Sequence, residues 1–335
     1  MKKFYLGIDV SKEKLDWSLM SDSKVVEELV VKNEITSIQK EISVFLSNYA
    51  IELTDLLLCA EYTGQYTYPL CCVCEELGLD LWLENPYLIK HSCGLPRGKS
   101  DRLDARKIAS YACRFADRAK LFQFPQKSMA TLRQLVSERD MYVCDRGKYQ
   151  GQLTDQKRFM DKEDYQRKSQ RLTIIIEGLN ESIEQVEKEI RELIKNDPTL
   201  SGQLKLLCSV DGVGERTAVK MIVETNAFKD FQDPRKFCCH AGIAPFSYTS
   251  GSSIRSRNRV SDRADKSIKS LLHMGALIAA TRMKGELHTY YLKKVSEGKN
   301  KMSVLNAVRA KLVHRMFAMI KNNKFYEKEY QNELA

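Results

Sequence analysis

Two short apolar runs that each end at a carboxylate constrain this chain more than any other feature. Phe4–Asp9 and the run Asp55–Ala60 leading into Glu61 read as strands buried in a sheet. A carboxylate at the end of such a strand is costly to bury unless positive charge compensates it. A further acidic pair, Asp101 and Asp104 in Lys99-Ser100-Asp101-Arg102-Leu103-Asp104-Ala105, is spaced by one helical turn, so both side chains share a face. Four carboxylates converging on one point demand a divalent cation. Such a site suits phosphodiester chemistry, in which two metal ions clamp the attacking and leaving oxygens.

The neighbouring segments set the fold that would bring the four together. Leu15–Met20 and Val25–Val31 continue the first strand as a meander. Ile35–Tyr49 has helical spacing, Gln65–Leu77 reads as a helix, and Leu79–Glu84 as a strand closed by Asn85-Pro86. A long helix runs from about Ser100 to Ala119. The order βββαβαβα is that of an α/β ribonuclease-H-like fold, a mixed sheet with helices on both faces. It places Asp9, Glu61, Asp101 and Asp104 at one edge, close enough to share cations.

Beyond this first domain (residues 1–122) the pattern changes. Ser128–Arg146 is helical, and the polar stretch Gly147–Tyr165 is expected to bend or loop. From Leu172 the apolar positions are Leu172, Ile176, Leu179, Ile183, Val186, Ile190 and Leu193, a heptad seam stopped by Asn196-Asp197-Pro198. A helical coiled-coil middle over 123–200 follows, serving as an antiparallel hairpin or as an intermolecular coiled coil for dimerisation. Dimerisation is favoured over the plainer alternative, a helix packed on its own domain. Residues 201–335 form a mostly α-helical third domain, with helices over Lys266–Arg282 and Ser303–Lys321. Near its start, Asp211-Gly212-Val213-Gly214 lies between helical runs and resembles a helix-hairpin-helix turn. Gly212 and Gly214 there would let backbone N–H groups approach a phosphate; a tight interhelical turn explains them equally.

Charge is divided unevenly. Residues 1–110 carry 13 Lys and Arg against 17 Asp and Glu, and the remainder 41 against 27, a net −4 followed by +14. An acidic front and a basic back fit a metal-dependent catalytic module joined to nucleic-acid-holding segments. The ten cysteines lack any paired C-x-x-C framework, which points to reduced thiols rather than zinc ligands or disulfides. No apolar run approaches the ~20 residues of a membrane span. With no secretory h-region at its start, the chain is expected in the cytoplasm.

The basic charge is densest after Ala241-Gly242-Ile243-Ala244-Pro245. Arg255, Arg257, Arg259, Arg263, Lys266 and Lys269 outnumber Asp262 and Asp265 over Gly251–Ser270, and a loop of this kind lies along a phosphate backbone. Ser250, before Gly251, presents a hydroxyl at a sharp turn. A hydroxyl needs activation before it attacks phosphorus. On residues alone Ser250 reads as a turn or phosphate-contacting residue, with Ser247, Tyr248, Ser252 and Ser253 as exposed competitors.

The ordered set Gly7-Ile8-Asp9-Val10-Ser11-Lys12, Glu61-Tyr62-Thr63-Gly64-Gln65-Tyr66, Lys99-Ser100-Asp101 with Asp104-Ala105-Arg106-Lys107-Ile108-Ala109, and Ala241–Pro245 followed by Ser250-Gly251 resembles the DEDD-type insertion-sequence transposases. That family is related to the Piv DNA invertase and includes the bridge-RNA-guided recombinases. The resemblance spans nearly the whole chain. It implies a RuvC-type N-terminal domain whose Asp9, Glu61, Asp101 and Asp104 bind Mg²⁺ or Mn²⁺, and a coiled-coil middle for dimerisation. It further implies a C-terminal transposase domain supplying Ser250 as nucleophile. Expected partners are donor and target double-stranded DNA, a structured bridge RNA, and further copies of the chain as a homodimer that becomes a tetramer on DNA. The active protein is then expected at the nucleoid of a prokaryotic cell. Where many members carry Gly-Asn, this chain has Ala264-Asp265, whose carboxylate weakens the local positive field. The competing functions are a metal-dependent junction nuclease that uses water, and a catalytically silent nucleic-acid-binding protein.

Overall fold

The structure, a computed structural model, describes residues 2–92, 100–246, 260 and 264–327, and the backbone of 249–250 and 254–255. The chain divides into two compact units, Met1–Pro125 and Gln126–Ala335.

The first unit is a five-stranded mixed sheet. β1 (Phe4–Val10), β2 (Lys14–Ser21) and β3 (Lys24–Lys32) form the antiparallel meander. After α1 (Ile35–Asn48), β4 (Leu56–Glu61) returns parallel to β1. α2 (Tyr68–Leu77) then leads to β5 (Leu81–Glu84), parallel to β4, which gives the order β3-β2-β1-β4-β5. α3 (Pro86–Ser92) and α4 (Asp101–Arg114) complete the unit. This is the ribonuclease-H-like arrangement expected from the element order.

Strand periodicity sorts the side chains into two cores. Leu6, Ile8 and Val10 of β1, Leu15, Trp17 and Leu19 of β2, and Leu56, Leu58 and Ala60 of β4 pack with Ile38, Ile42 and Phe45 of α1 and Leu70 and Val73 of α2. Tyr5, Met20, Leu57 and Cys59 point the other way and meet Ile108, Ala109 and Ala112 of α4. Asp9, Asp16 and Glu61 therefore fall, by alternation, on the face that α4 covers. Gly7 makes that cover close, because a Cβ there would lie 2.2 Å from Ala109 N and 2.4 Å from Ala105 O. Glu28 of β3 fastens the same helix by ion pairs to Arg102 and Arg106.

Two local differences from expectation have clear causes. Asn85-Pro86 does not merely end β5 but starts α3: Pro86 supplies the helical φ at the first position, and Asn85 Oδ1 accepts from Tyr87 N at 2.9 Å. α4 stops at Arg114 and is followed by a 3₁₀ turn over Ala116–Arg118 instead of continuing to Ala119.

The second unit is helical. α5 (Lys127–Asp155) and α6 (Lys162–Asn196) form an antiparallel hairpin, with Arg139 paired to Glu187 and Arg146 to Asn180. α5 runs straight through Gly147 and Gly151, so the reversal expected across Gly147–Tyr165 is confined to the tip around the 3₁₀ turn Gln156–Arg158. On α6 the heptad residues Ile176, Ile183, Val186 and Ile190 are buried, while Leu172, Leu179 and Leu193 are half-buried.

α7 (Pro198–Cys208), α8 (Glu215–Glu224), α9 (Pro234–His240), the ribbon of β6 (Thr249–Ser250) and β7 (Ile254–Arg255), α10 (Lys266–Thr281), α11 (Glu286–Ser296) and α12 (Lys301–Asn322) follow. Leu132 and Val136 of α5 and Val186, Ile190 and Ile194 of α6 enter the same core as Ile222, Leu272, Val308 and Leu312. The base of the hairpin is thus continuous with the C-terminal helices rather than a separate layer over 123–200. Among the described residues, the nine cysteines are free, Cys59, Cys71, Cys74 and Cys238 are buried, and no helix is long and apolar enough to cross a membrane.

Candidate active site

β1 and β4 run side by side with Ile8 beside Ala60, so their next residues, Asp9 and Glu61, emerge together at the C-terminal edge of the sheet. α4 crosses the same face with Ala105 and Ala109 over Gly7. Its first turn, one turn further on, brings Asp101 and Asp104 to that edge. Ser100 caps the turn by accepting from Leu103 N at 3.3 Å. Carboxylates in a first turn are favoured by the helix dipole, which helps hold both at the site.

The sequence reading missed a fifth carboxylate. Asp16 of β2 is directly opposite Asp9 and is 7% exposed. Its signal was available, since pairing the β1–β2 hairpin places a polar residue at an inward-facing position next to Asp9. Lys14 bridges Asp16 Oδ2 and Asp101 Oδ2 at 2.9 Å each, and Lys107 Nζ lies 2.6 Å from Asp104 Oδ1.

Negative charge dominates this face despite the two lysines. Burial, then the charges of Glu61, Asp101, Asp104 and Asp16, push the Asp9 carboxyl up to about 6. Glu61 is raised by burial and by Asp104, with Lys107 opposing. Asp9, Glu61, Asp101 and Asp104 lie on one face, but they do not form a contracted shell. Among the described residues, the group of three His, Cys, Asp or Glu ligand atoms lying within 4.8 Å of one another is Glu224, His240 and Asp265. Asp101 and Asp104 are paired instead with Lys14 and Lys107. An all-oxygen donor set with unbalanced negative charge fits a hard dication such as Mg²⁺ or Mn²⁺.

In the second unit, β6 pairs with β7 so that Ser250 lies opposite Ile254 and Thr249 opposite Arg255. The side chains of Ser250 and Arg255, and the whole of Lys99, Ser247, Tyr248, Ser252, Ser253, Arg257, Arg259 and Arg263, lie outside the described residues. Lys266 is exposed and Lys269 half-buried on α10. The two glycines of the interhelical turn differ. Gly212, at φ +89°, would bring a Cβ to 2.6 Å from Gly275 O, so it permits close packing on α10. Gly214 is exposed at the start of α8 with open space around it, the position from which backbone N–H groups can meet an anion.

A family model for DEDD transposases of IS110 elements, described as Transposase, matches residues 6–156, and one described as Transposase IS116/IS110/IS902 family matches 204–292. The pilin gene-inverting proteins of Moraxella lacunata and Moraxella bovis are each 24% identical over 98% of this chain and 99% of their own. The uncharacterized 44.8 kDa protein of insertion element IS116 from Streptomyces clavuligerus is 26% identical over 44% of this chain and 36% of its own. Two Thermus thermophilus RuvC chains, one in complex with a Holliday junction substrate, align with 36% of this chain and 99% of theirs at TM-scores of 0.28 and 0.29, with 16% and 15% identity. The two models, over 6–156 and 204–292, together match most of the chain in this order, and the chain belongs to the DEDD-type IS110 family of insertion-sequence transposases.

Proposed function

We propose that this DNA recombinase cuts and rejoins strands through a covalent serine–DNA linkage at a phosphate activated by metal at the acidic tetrad. The observation that carries the reading is the unbalanced negative charge around Asp9 on a face built from three strands and one helix. Mg²⁺ or Mn²⁺ bound by Asp9, Glu61, Asp101 and Asp104 would supply Lewis-acid stabilisation of charge on the phosphate. Asp9 and Glu61, fixed at adjacent strand ends, set the position of that charge, while Asp101 and Asp104 close over it from α4. Asp16 and Lys14 orient Asp101 from the side.

Ser250 Oγ, losing its proton, forms a bond to phosphorus as the bond from phosphorus to a deoxyribose oxygen breaks and that oxygen takes up a proton. The reverse step with a new deoxyribose hydroxyl restores the phosphodiester and frees the serine. The linkage conserves bond energy, so rejoining needs no ATP. The net +14 beyond residue 110 supports binding of nucleic acid. Arg255, Arg257, Arg259, Arg263, Lys266 and Lys269, with the Gly214 turn, are the proposed contacts to DNA or to a bridge RNA. The assembly is a homodimer that becomes a tetramer on DNA.

The test is a denaturation-resistant protein–DNA species formed with Mg²⁺ on DNA carrying the element's ends. The wild type forms it, and Ser250→Ala and Asp9→Asn do not. Cut DNA without any adduct would assign hydrolysis by water and leave Ser250 as a phosphate contact. An adduct persisting in Ser250→Ala would move the nucleophile to a neighbouring hydroxyl. RNA copurifying with the protein tests the guide: a single abundant transcript from beside the element supports it, and random fragments remove it.

A further inference from the structure

A second group of ligand-type side chains lies in the helical unit, and the recombination chemistry makes no use of it. Glu224 ends α8, His240 ends α9 and Asp265 caps α10, and one donor atom of each lies within 4.8 Å of the other two. His240 Nε2 stands 3.6 Å from Glu224 Oε2. That is too long for a hydrogen bond. It is close to the separation of about 3.4 Å that two donors have when each is about 2.1 Å from one tetrahedral ion.

The two carboxylates are also oriented from behind, as metal ligands are. Asp265 Oδ1 accepts from Ser267 N at 2.7 Å and Ile268 N at 3.1 Å, which leaves Oδ2 for another partner. Glu224 Oε1 is held by Lys220 at 3.3 Å, which leaves Oε2 on the His240 side. The imidazole of His240 is flanked by the rings of Phe231 and Phe237, with centroids at 5.2 and 5.7 Å. Charge points the same way. Lys220 is shared with Asp140 at 3.1 Å, so its single positive charge is divided between two acids. Asp140 is met by Arg139 as well, at 3.4 Å, and a dication beside Glu224 and Asp265 would offset the negative charge of those two acids.

We infer that Glu224, His240 and Asp265 form a second metal site, for a borderline dication such as Zn²⁺, with water completing the shell. A mixed nitrogen and oxygen donor set favours Zn²⁺ or Co²⁺ over Mg²⁺, unlike the all-oxygen tetrad. The position gives the site a role. Asp265 N donates to His240 O at 3.2 Å, so the segment 241–264, which contains Ser250, begins and ends at this group. An ion there cross-links α8, α9 and α10 and fixes the neck of that segment. This inference stands independently of the serine mechanism.

The test uses the full chain, stripped of metal by a chelator and carrying Asp9→Asn with Asp104→Asn to weaken binding at the tetrad. Titrated with Co²⁺, this protein takes up one equivalent with the visible absorption of nitrogen- and oxygen-ligated cobalt, and Zn²⁺ displaces it. Adding His240→Gln abolishes the signal. Asp265→Asn, which retains a helix-capping side chain, weakens Zn²⁺ binding about tenfold or more. Zn²⁺ also slows tryptic cleavage at arginines 255–263. No cobalt absorption in the tetrad variant, or the same absorption after His240→Gln, overturns the inference. Where His240→Gln fails to fold by circular dichroism, unchanged Zn²⁺ affinity in Asp265→Asn overturns it equally.

Discussion

The acidic face of the first unit and the ion-pair network at the base of the α5–α6 hairpin treat partly buried carboxylates in opposite ways. Around Asp9, burial and four other acids act in one direction and raise its pKa. Around Glu187, burial also acts to raise, yet Arg139, Arg216 and Arg191 carry the carboxyl below its ordinary value. Arg139 Nε and Arg216 Nη2 approach Glu187 Oε1 at 2.7 and 3.0 Å. A compensated acid holds helices together. An uncompensated one destabilises its own fold and remains available to a cation from outside. The contrast separates structure from function with no reference to relatives.

The largest test of that contrast is Asp9→Asn. It should reduce recombination by about a thousandfold or more, in line with loss of a metal-held transition-state contact. It should also raise the melting temperature of the metal-free protein by removing repulsion. A lower melting temperature would mean that Asp9 is a structural acid. The pH dependence carries the same sign. The raised pKa of Asp9 penalises the folded state fully above about 6 and is relieved as pH falls below it. Metal-free protein should therefore gain stability from this group between pH 7 and 5, and Asp9→Asn should lose that gain. For Glu187 the pKa is depressed, so its contribution is present above the ordinary carboxylate value and is lost as pH falls through the depressed one.

Gly7→Ala ranks next. A methyl group set against the backbone of α4 should destabilise the first unit by about 3 kcal/mol or more, measured by denaturant unfolding. Gly214→Ala, with open space around it, should change stability little. Glu187→Gln should lower stability by about 1 kcal/mol, the opposite sign to Asp9→Asn. The smallest effect is expected for Lys14→Met. With no ammonium competing for Asp101, Mn²⁺ should bind about fivefold tighter by calorimetry, and unchanged or weaker binding would remove Lys14 as a counter-charge.

Much of the first unit was legible because its signals are local. Apolar runs of strand length and helical spacing gave β1 to β4 and α1 nearly at their true limits, and the start of α4 but not its end. The order of the elements put Asp9 and Glu61 at one edge of the sheet. Legibility failed where register or a single cap decides. Asp16 belongs to the acidic face only because a tight reversal pairs it with Asp9. α3 exists because Asn85 caps it. In the second unit Gly147 and Gly151 suggested a break, yet packing of α6 along α5 outweighs the small helical penalty of glycine.

The chain by itself determined which residues can carry the chemistry, since carboxylates at strand ends and a helical i, i+3 pair follow from periodicity that any short segment expresses. Only the tertiary structure decided how those charges are balanced. Lys14 and Lys107 sit on Asp101 and Asp104, arginines neutralise Glu187, and Glu224, His240 and Asp265 meet across three helices. Electrostatic energy depends on distance in space and on burial, and neither is written in the separation of residues along a sequence.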